Sequence, residues 1–476
     1  MLENQLQDRH FKYHIEKSGA TARENGGARP RPRGGSLTFG AKYDIGQIRC
    51  YAWRRISVIL FTQGMRILHT SDWHLGDRLL GEARHGEFRA FLDWLLEQMQ
   101  QHAVEALLVS GDLFDTRDPG APALEMFNDF LSRADSTGCR HIILTAGNHD
   151  GVPVLDAASP LLQRYHARLV SRLSADTAGE CLVPLCGRDG EPQALVCAVP
   201  YLRPSDMSRQ LSEDALGAGE NAYILGVQDV LDAVAQHAEA WRAEHPGCPV
   251  LAMAHLTVCG AAKSGSELDI IIGGLEAIGQ EAFAEVFDYV ALGHIHKGYS
   301  PDGGRLHYCG SPLPMSIDEA AYAHHVLLVD ATAAGVQVQK LPVPVFAYYT
   351  REVCHTKAEL DALPGRLQEL AERHGGAPIH LELHYHGSGV ENLQNWAAEH
   401  LPQELVAHYH ASMWREGDRE LDNLELSGSC LPTVEEMFEH KLAAYSQAGE
   451  PLSDAEKECL RGLFASVYQE ALSHEN

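Results

Sequence analysis

The chain has 476 residues, 45% hydrophobic and 22% charged, with a mean hydropathy of -0.21. This length implies roughly two to four domains and excludes a peptide or a single small module. The 38 Lys and Arg against 65 Asp and Glu give a net charge of -27, which argues against a surface that attracts nucleic acid by itself. The longest uncharged apolar stretch, Pro249 to Ala262, falls short of the ~20 residues of a membrane helix.

Residues 1–64 differ from the rest of the chain, because they carry 11 Lys and Arg against five Asp and Glu. The run Arg29-Pro30-Arg31-Pro32-Arg33 is broken by proline, and no hydrophobic period persists around it. We expect a disordered basic extension. It is an arm that binds DNA, a tail without function, or sequence read from a start codon upstream of Met65.

The 11 cysteines are scattered, odd in number and without a CxxC motif. This usage is typical of free thiols in a reducing compartment rather than of a disulfide framework. The sequence therefore predicts a cytoplasmic protein.

From Met65 onwards, short apolar strands alternate with amphipathic helices, which predicts an α/β sandwich of two sheets flanked by helices. An apolar stripe at helical spacing predicts a helix that buries Phe88, Phe91, Leu92, Leu95, Leu96 and Met99, and a second stripe predicts one that buries Phe127, Phe130, Leu131 and Ala134. The predicted strands are Arg66–Thr70, Ala106–Ser110, His141–Thr145, Ala194–Val199, Val250–Ala254, Tyr289–Leu292, Leu306–Cys309 and Val326–Val329.

Two further units follow. Pro342 and Pro344 predict a boundary near residue 343, and residues 343–421 predict a smaller α+β capping domain. Residues 422–476 predict a linker and a pair of helices, each opened by a capping box, Thr433 with Glu436 and Ser453 with Glu456. The apolar stripe Leu460, Leu463, Phe464 and Val467 must pack on this chain or on a partner.

Metal-binding residue types recur directly after apolar strands. They are Asp72, His74, Asp112, Asn148, His149, His255, His294 and His296. Any one of them alone is more commonly a turn residue, a helix cap or a hydrogen-bonded core histidine. Five such segments converge if they follow the carboxyl ends of strands in one sheet system, and the mixture of imidazole, carboxylate and amide suits Mn, Fe or Zn. The pairs His384/His386 and His408/His410 are weaker zinc candidates, favoured as surface or inter-strand histidines.

These segments resemble the calcineurin-like metallophosphoesterase superfamily. The context around Ser71-Asp72-Trp73-His74, Gly111-Asp112-Leu113-Phe114-Asp115 and Gly310-Ser311-Pro312-Leu313-Pro314-Met315-Ser316 is similar to its DNA nuclease subunits. Membership would imply a metal-dependent double-strand exonuclease and single-strand or hairpin endonuclease that acts in DNA repair, replication and recombination. It would also imply a partner, an SMC-like ABC ATPase with a coiled coil, in a heterotetramer with two copies of each subunit.

The resemblance implies a role for each site residue. Asp72, His74, Asp112 and His296 would hold one divalent ion, and Asp112, Asn148, His255 and His294 would hold the other, most simply as Mn. His149 would stabilise charge on the phosphate or protonate the leaving group.

Two other functions stay open on the sequence alone. A phosphomonoesterase or cyclic-nucleotide phosphodiesterase would share the ligand segments and suit the negative charge, although it would not need the units after residue 343. A metal-stabilised scaffold for the ATPase would not need His149.

Overall fold

The computed structural model describes residues 64–203, 221–258 and 278–413, together with seven isolated positions between 438 and 464. The predicted basic extension therefore lies outside the described residues except at Gly64, and so do most positions of the predicted terminal helix pair. Within the described ranges no helix is both long and apolar enough to cross a membrane.

Two mixed sheets form the larger part of the molecule. The strands of the first are β1 (Gly64–Thr70), β4 (Ala106–Ser110), β5 (His141–Thr145), β6 (Ala167–Val170), β12 (His325–Thr332) and β13 (Gly335–Pro342). Their order is β13-β12-β1-β4-β5-β6, with β1, β4, β5 and β6 parallel and with β12 and β13 antiparallel to their neighbours.

The second sheet has five strands: β7 (Leu182–Cys186), β8 (Pro192–Ala198), β9 (Val250–His255), β10 (Tyr289–Gly293) and β11 (Leu306–Tyr308). They lie in the order β11-β10-β9-β8-β7, and only β7 is antiparallel. A two-residue hairpin, β2 (Arg78–Leu79) and β3 (Glu82–Ala83), adds a small ribbon. Every residue of β4, β9 and β10 is buried, as expected for parallel strands covered on both faces.

Among the described residues, the helices of this two-sheet body are α1 (His85–Gln101), α2 (Ala121–Ala134), α3 (Val152–Leu162) and α4 (Asn221–Glu244). All six residues of the first predicted stripe are buried on α1, and all four of the second are buried on α2. Alternate residues of β1 serve two cores. Ile67 packs in the core that joins both sheets, whereas Leu68 packs in the core beneath α1 and α2.

The sequence pattern missed several elements for identifiable reasons. The helix α3 contains Pro160 as well as a proline in its first turn, so proline obscured its pattern. The strands β6 and β13 lie at the two edges of the first sheet. The strand β6 has four residues, of which Arg168 is exposed, and β13 is mostly exposed, so neither carries a long apolar run. The eight predicted strands of this body are confirmed, although several differ in length from the prediction.

A small α/β unit follows, which comprises β14 (Tyr348–Cys354), α5 (Lys357–Arg373), β15 (Ile379–Tyr385), α6 (Leu393–His400) and β16 (Val406–Met413). These five elements bury a core of their own. The predicted α+β class is wrong for this unit, because β14, β15 and β16 are all parallel. Each intervening helix returns the chain to the same end of the sheet, which is the geometry of βαβ crossovers.

Candidate metal centre

The metal-binding residue types follow the carboxyl ends of strands from both sheets. Asp72 lies two residues after β1, Asp112 two residues after β4, and Asn148 three residues after β5. His255 is the last residue of β9, and His294 directly follows β10. Because these strands are parallel within each sheet, their ends form one edge, and the side chains meet in a single crevice.

The backbone at this edge is unusual. Seven residues other than glycine have a positive φ angle among the residues that the structure describes, and four of them are candidate ligands: Asp72 (53°), His74 (46°), Asp112 (48°) and His294 (93°). Left-handed backbone costs free energy for residues with a Cβ atom, and it concentrates at functional sites. The fold therefore holds the backbone of these four residues in a conformation that their residue types do not favour.

Asp112 lies at the centre of the crevice and is buried. Its Oδ2 atom is 3.1 Å from His255 Nε2 and 3.6 Å from His74 Nε2. Ligand atoms lie within 4.8 Å of one another in three groups: Asp72, His74 and His296; Asp72, Asp112 and His255; and His74, Asp112 and His149. Asp112 thus connects the ligands around His74 with those around His255.

Asn148 joins the other side of the crevice. Its Oδ1 atom is 2.9 Å from His255 Nε2 and 3.2 Å from His294 Nδ1. The main-chain amide of His294 donates to Asp72 Oδ1 at 2.9 Å, so this loop is also tied to the first group. The structure therefore brings all seven predicted ligands to one place.

The donor chemistry of the crevice fits a cation. His255 Nδ1 lies 2.9 Å from the carbonyl oxygen of Ser110, which only accepts, so this nitrogen carries hydrogen. In neutral His255 the Nε2 atom then presents a lone pair to the oxygens of Asp112 and Asn148, which are acceptors too. A proton or a metal ion must lie among these three acceptors. His74 Nε2 is likewise buried without a hydrogen-bond partner.

The electrostatics of the protein without metal point the same way. Burial lowers the pKa of His255, but the carboxylate of Asp112 outweighs it and raises this pKa to about 9. Burial also opposes protonation of His74, yet Asp115, Asp112 and Asp72 raise its pKa to about 9. His255 and His74 in turn hold the pKa of Asp112 well below its usual range despite burial. The crevice therefore favours positive charge strongly.

His294 behaves differently from the other two histidines. Burial and the neighbouring His255 lower its pKa to about 3, so it stays neutral at physiological pH. A neutral imidazole is the form that can bind a metal ion.

His149 is exposed at the rim of the crevice. Its main-chain amide donates to Asp112 Oδ1 at 2.9 Å, and its Nδ1 lies 2.9 Å from the carbonyl oxygen of Asp115, to which it must donate. Nε2 is therefore the nitrogen that can exchange a proton. The ring centroid of His149 is 4.8 Å from that of His74, so the ring that carries Nε2 lies next to the candidate ligands.

Asp150 has a role that the sequence pattern did not assign. Its buried carboxylate accepts from the main-chain amides of Leu113, Phe114 and Gly147, at 3.1, 3.0 and 2.9 Å. Asp150 thereby binds the loop of Asp112 to the loop of Asn148. Burial and the charge of Asp112 raise the pKa of this carboxyl to about 6. The motif Gly-Asn-His-Asp contained the residue, but only the contacts reveal its function.

The histidine pairs of the small α/β unit do not form such a group. His384 Nε2 lies 3.4 Å from Glu382 Oε1, and His408 Nδ1 lies 3.6 Å from Glu82 Oε1. Across the described ranges, every group of three or more potential ligands lies in the crevice.

Comparisons with known proteins identify relatives of this chain. The sequence profile of calcineurin-like phosphoesterases matches residues 65–298. SbcD, a component of the nuclease SbcCD, from Escherichia coli (strain K12) is 34% identical over 413 residues, which cover 85% of this chain and 98% of that protein. The protein of the same name from Rhodobacter capsulatus is 38% identical over 286 residues, covering 59% and 69% respectively.

Among solved structures, a family 1 b-glucosidase from Thermotoga maritima aligns with 73% of this chain and 83% of its own. The TM-score is 0.16 and the sequence identity is 11%, so this alignment gives no evidence of a shared fold or function.

Proposed function

The chain belongs to the SbcD family of nucleases within the calcineurin-like phosphoesterases, and we propose that it cleaves DNA with two Mn ions bound in the crevice. It is a nuclease and therefore a hydrolase of phosphodiester bonds. The observation that carries the two-ion proposal is the position of Asp112 between His255 and His74. A carboxylate shared by two sets of ligands would let these residues hold two divalent ions side by side.

The ligands divide into two half-sites that share Asp112. The first half-site comprises Asp72, His74, Asp112 and His296, and the second comprises Asp112, Asn148, His255 and His294. Divalent ions bound there supply two kinds of chemistry, since they lower the pKa of water and neutralise charge on the phosphate. The mixed imidazole, carboxylate and amide set favours Mn over Mg or Ca.

The residues of the chain supply orientation and a proton. Asp150 holds the two loops that carry Asp112 and Asn148 in register, so the phosphate meets a preorganised set of groups. His149 can donate from Nε2 when it is protonated, because Nδ1 is engaged by Asp115. We assign to His149 the protonation of the leaving oxygen.

We propose that the small α/β unit, within residues 343–421, is a capping domain that helps to position DNA over the crevice. Two contacts support this assignment. The Tyr349 hydroxyl donates to Glu87 Oε2 at 2.9 Å, and Arg351 Nη1 lies 2.9 Å from Asp318 Oδ1. The unit therefore contacts the first turn of α1 through Glu87 and the segment of Asp318.

The partner in this proposal is an SbcC-like ABC ATPase with a coiled coil, in a heterotetramer with two copies of each protein. Such a partner would supply the positive track for DNA that a chain of net charge -27 lacks. Residues 422–476 are the proposed contact region. Phe438 and Phe464 stack with ring centroids 4.1 Å apart, and Leu460 is 37% exposed, which fits paired helices that leave an apolar edge.

A substrate panel tests the catalytic proposal. The purified chain is assayed with Mn, with and without the ATPase, on linear duplex DNA, hairpin DNA and a small aryl phosphate. We expect Mn-dependent cleavage of DNA, including the hairpin. Hydrolysis confined to the aryl phosphate would contradict the nuclease proposal and favour a phosphomonoesterase.

A double substitution tests the interface. Changing Leu463 and Phe464 to Glu should abolish co-purification with the ATPase, because burial of large apolar groups contributes about 1.5 to 3 kcal/mol each. The double variant loses the stack between Phe438 and Phe464, but the melting temperature of the two-sheet body and its Mn-dependent activity on simple substrates should stay unchanged. Lower thermal stability with intact partner binding would instead place the stripe in this chain's own core.

A further inference from the structure

The motif Gly310-Ser311-Pro312-Leu313-Pro314-Met315-Ser316 contributes no ligand to the two half-sites. It nevertheless lies against one of them, because the main-chain amide of Ser311 donates to the carbonyl oxygen of His296 at 3.0 Å. Gly310 has a φ angle of +79°, and a Cβ atom there would lie 2.5 Å from the same carbonyl oxygen. The motif therefore follows the backbone of His296 closely, and only glycine permits this approach.

A carboxylate just after the motif contacts the side chain of the same ligand. Glu319 Oε1 lies 3.0 Å from His296 Nδ1, and Glu319 Oε2 accepts from the main-chain amide of Met315 at 2.8 Å. Both oxygens of one carboxylate are thus used, one on the ligand and one on the motif. Glu319 is largely buried, and its contacts with His296 lower its pKa despite that burial.

The contact has a chemical consequence for His296. A carboxylate accepts a hydrogen bond, so it fixes the hydrogen on Nδ1 and leaves the lone pair on Nε2. Carboxylates that bind the far nitrogen of a ligating histidine fix its tautomer and orientation and increase its basicity. The neighbouring ring of His74, whose centroid is 5.1 Å away, belongs to the same half-site.

The motif is itself anchored to the body. Arg84 Nη1 donates to the carbonyl oxygen of Pro314 at 2.7 Å, and the same buried guanidinium pairs with Asp77 and Glu87. His324 adds a second anchor, with Nδ1 2.8 Å from the carbonyl oxygen of Ser311 and Nε2 3.1 Å from that of Glu319. The carboxylate of Glu319 is therefore presented from a fixed frame.

From these contacts we propose that Glu319 is a positioning residue for His296, and that the motif Gly310–Ser316 is the frame that holds it. This inference rests on the proposed function, because it takes His296 as a ligand of the first half-site. It assigns a role to a motif that contains no metal-binding side chain. Loss of the carboxylate should weaken the first half-site more than the second, because Glu319 contacts the ring of His296, whereas His294 on the same loop directs Nδ1 towards Asn148.

The test measures Mn binding to the isolated full chain by EPR titration after removal of metal with EDTA. The variants are Glu319→Ala and Glu319→Gln. The matched control is Asp302→Asn, because Asp302 also accepts main-chain hydrogen bonds, from Gly304, Arg305 and Leu306, and none of these partners is a ligand. Melting temperatures in EDTA are recorded for every variant.

We expect wild type to bind two ions and Glu319→Ala to bind one of them about 10- to 100-fold more weakly. Glu319→Gln should recover part of this affinity, since its amide oxygen can still accept from Nδ1. High Mn concentration should restore cleavage by Glu319→Ala. Asp302→Asn should bind both ions like wild type.

Two results would overturn the inference while leaving the proposed function intact: wild-type affinity at both sites in Glu319→Ala, or an equal loss in Asp302→Asn. A wild-type chain that binds no Mn would instead overturn the two-ion proposal itself. If Glu319→Ala does not fold, Glu319→Gln decides the question. Weaker binding of one ion by that variant supports the inference, and wild-type affinity for both ions overturns it.

Discussion

The crevice and the small α/β unit both carry several histidines at or near strands, but the surroundings of the two sets differ. In the crevice, histidines follow strand ends and surround the buried carboxylates of Asp72 and Asp112. In the small unit, His384 lies within β15, and the neighbouring carboxylate, Glu382, is already paired with Arg351. The number of histidines therefore does not distinguish the two regions, whereas the buried carboxylates that the histidines surround at a shared strand edge do.

The largest effect is expected when the negative charge of Asp112, which both half-sites share, is removed. Asp112→Asn should lower nuclease activity by several orders of magnitude, because both half-sites lose a negative ligand at once. His74→Ala should mainly weaken one half-site. Elemental analysis and a cleavage assay with Mn check both variants, and near-normal turnover of Asp112→Asn would contradict the bridging role.

A second change separates proton transfer from metal binding within the crevice. His149→Ala should lower turnover by roughly 10²- to 10⁴-fold, the usual contribution of a general acid. The metal content should persist, because His149 is assigned to the phosphate and not to an ion. Loss of metal together with the imidazole would instead make His149 a ligand, as its position near His74 and Asp112 allows.

The pH dependence of stability distinguishes buried from exposed histidines. Burial and the charge of His307 lower the pKa of His69 from 6.5 to about 3, and its Nδ1 lies 2.8 Å from the Tyr289 hydroxyl. Below about pH 6.5 the unfolded chain binds a proton that folded His69 refuses, so the contribution of His69 to the free energy of unfolding falls as the pH falls. Between about pH 8 and about pH 5 this loss should amount to about 2 kcal/mol.

Urea unfolding at both pH values checks this. His69→Phe combined with Tyr289→Phe should remove about 2 kcal/mol of the pH dependence without leaving an unpaired hydroxyl. The control is His410, an exposed histidine of the small unit. The variant His410→Gln should show the same pH dependence of stability as wild type. An unchanged slope in the double variant would mean that His69 is protonated in the folded state.

The smallest effect is expected in the small unit. Replacing His384 and His386 together with Gln should change neither the number of bound ions nor the cleavage rate, because no group of three ligands among the described residues includes them. Elemental analysis of the double variant checks the number of bound ions, and an assay with Mn checks the cleavage rate. Loss of an ion would show that the comparison between the two regions is wrong.

Much of the architecture could be predicted, because local periodicity encodes it. The stripe from Phe88 to Met99 defined one face of α1, and all six of its residues are buried. The strand direction in the small unit is a different case. Alternating strands and helices favour parallel crossovers, and β14, β15 and β16 are parallel, so the α+β prediction did not follow the pattern that the sequence carries.

By itself, the sequence determined which residue types follow which strands, since each motif is local and the strand before it is a short apolar run. Only the tertiary structure decided what those residues contact. His255 and Asp112 are far apart in the chain, and they meet because β9 and β4 lie in two sheets packed on one core. The hydrogen bonds that His255 donates to the carbonyl oxygen of Ser110 and that His296 donates to the carboxylate of Glu319 likewise depend on this packing, because partners so distant in sequence leave no periodic signal.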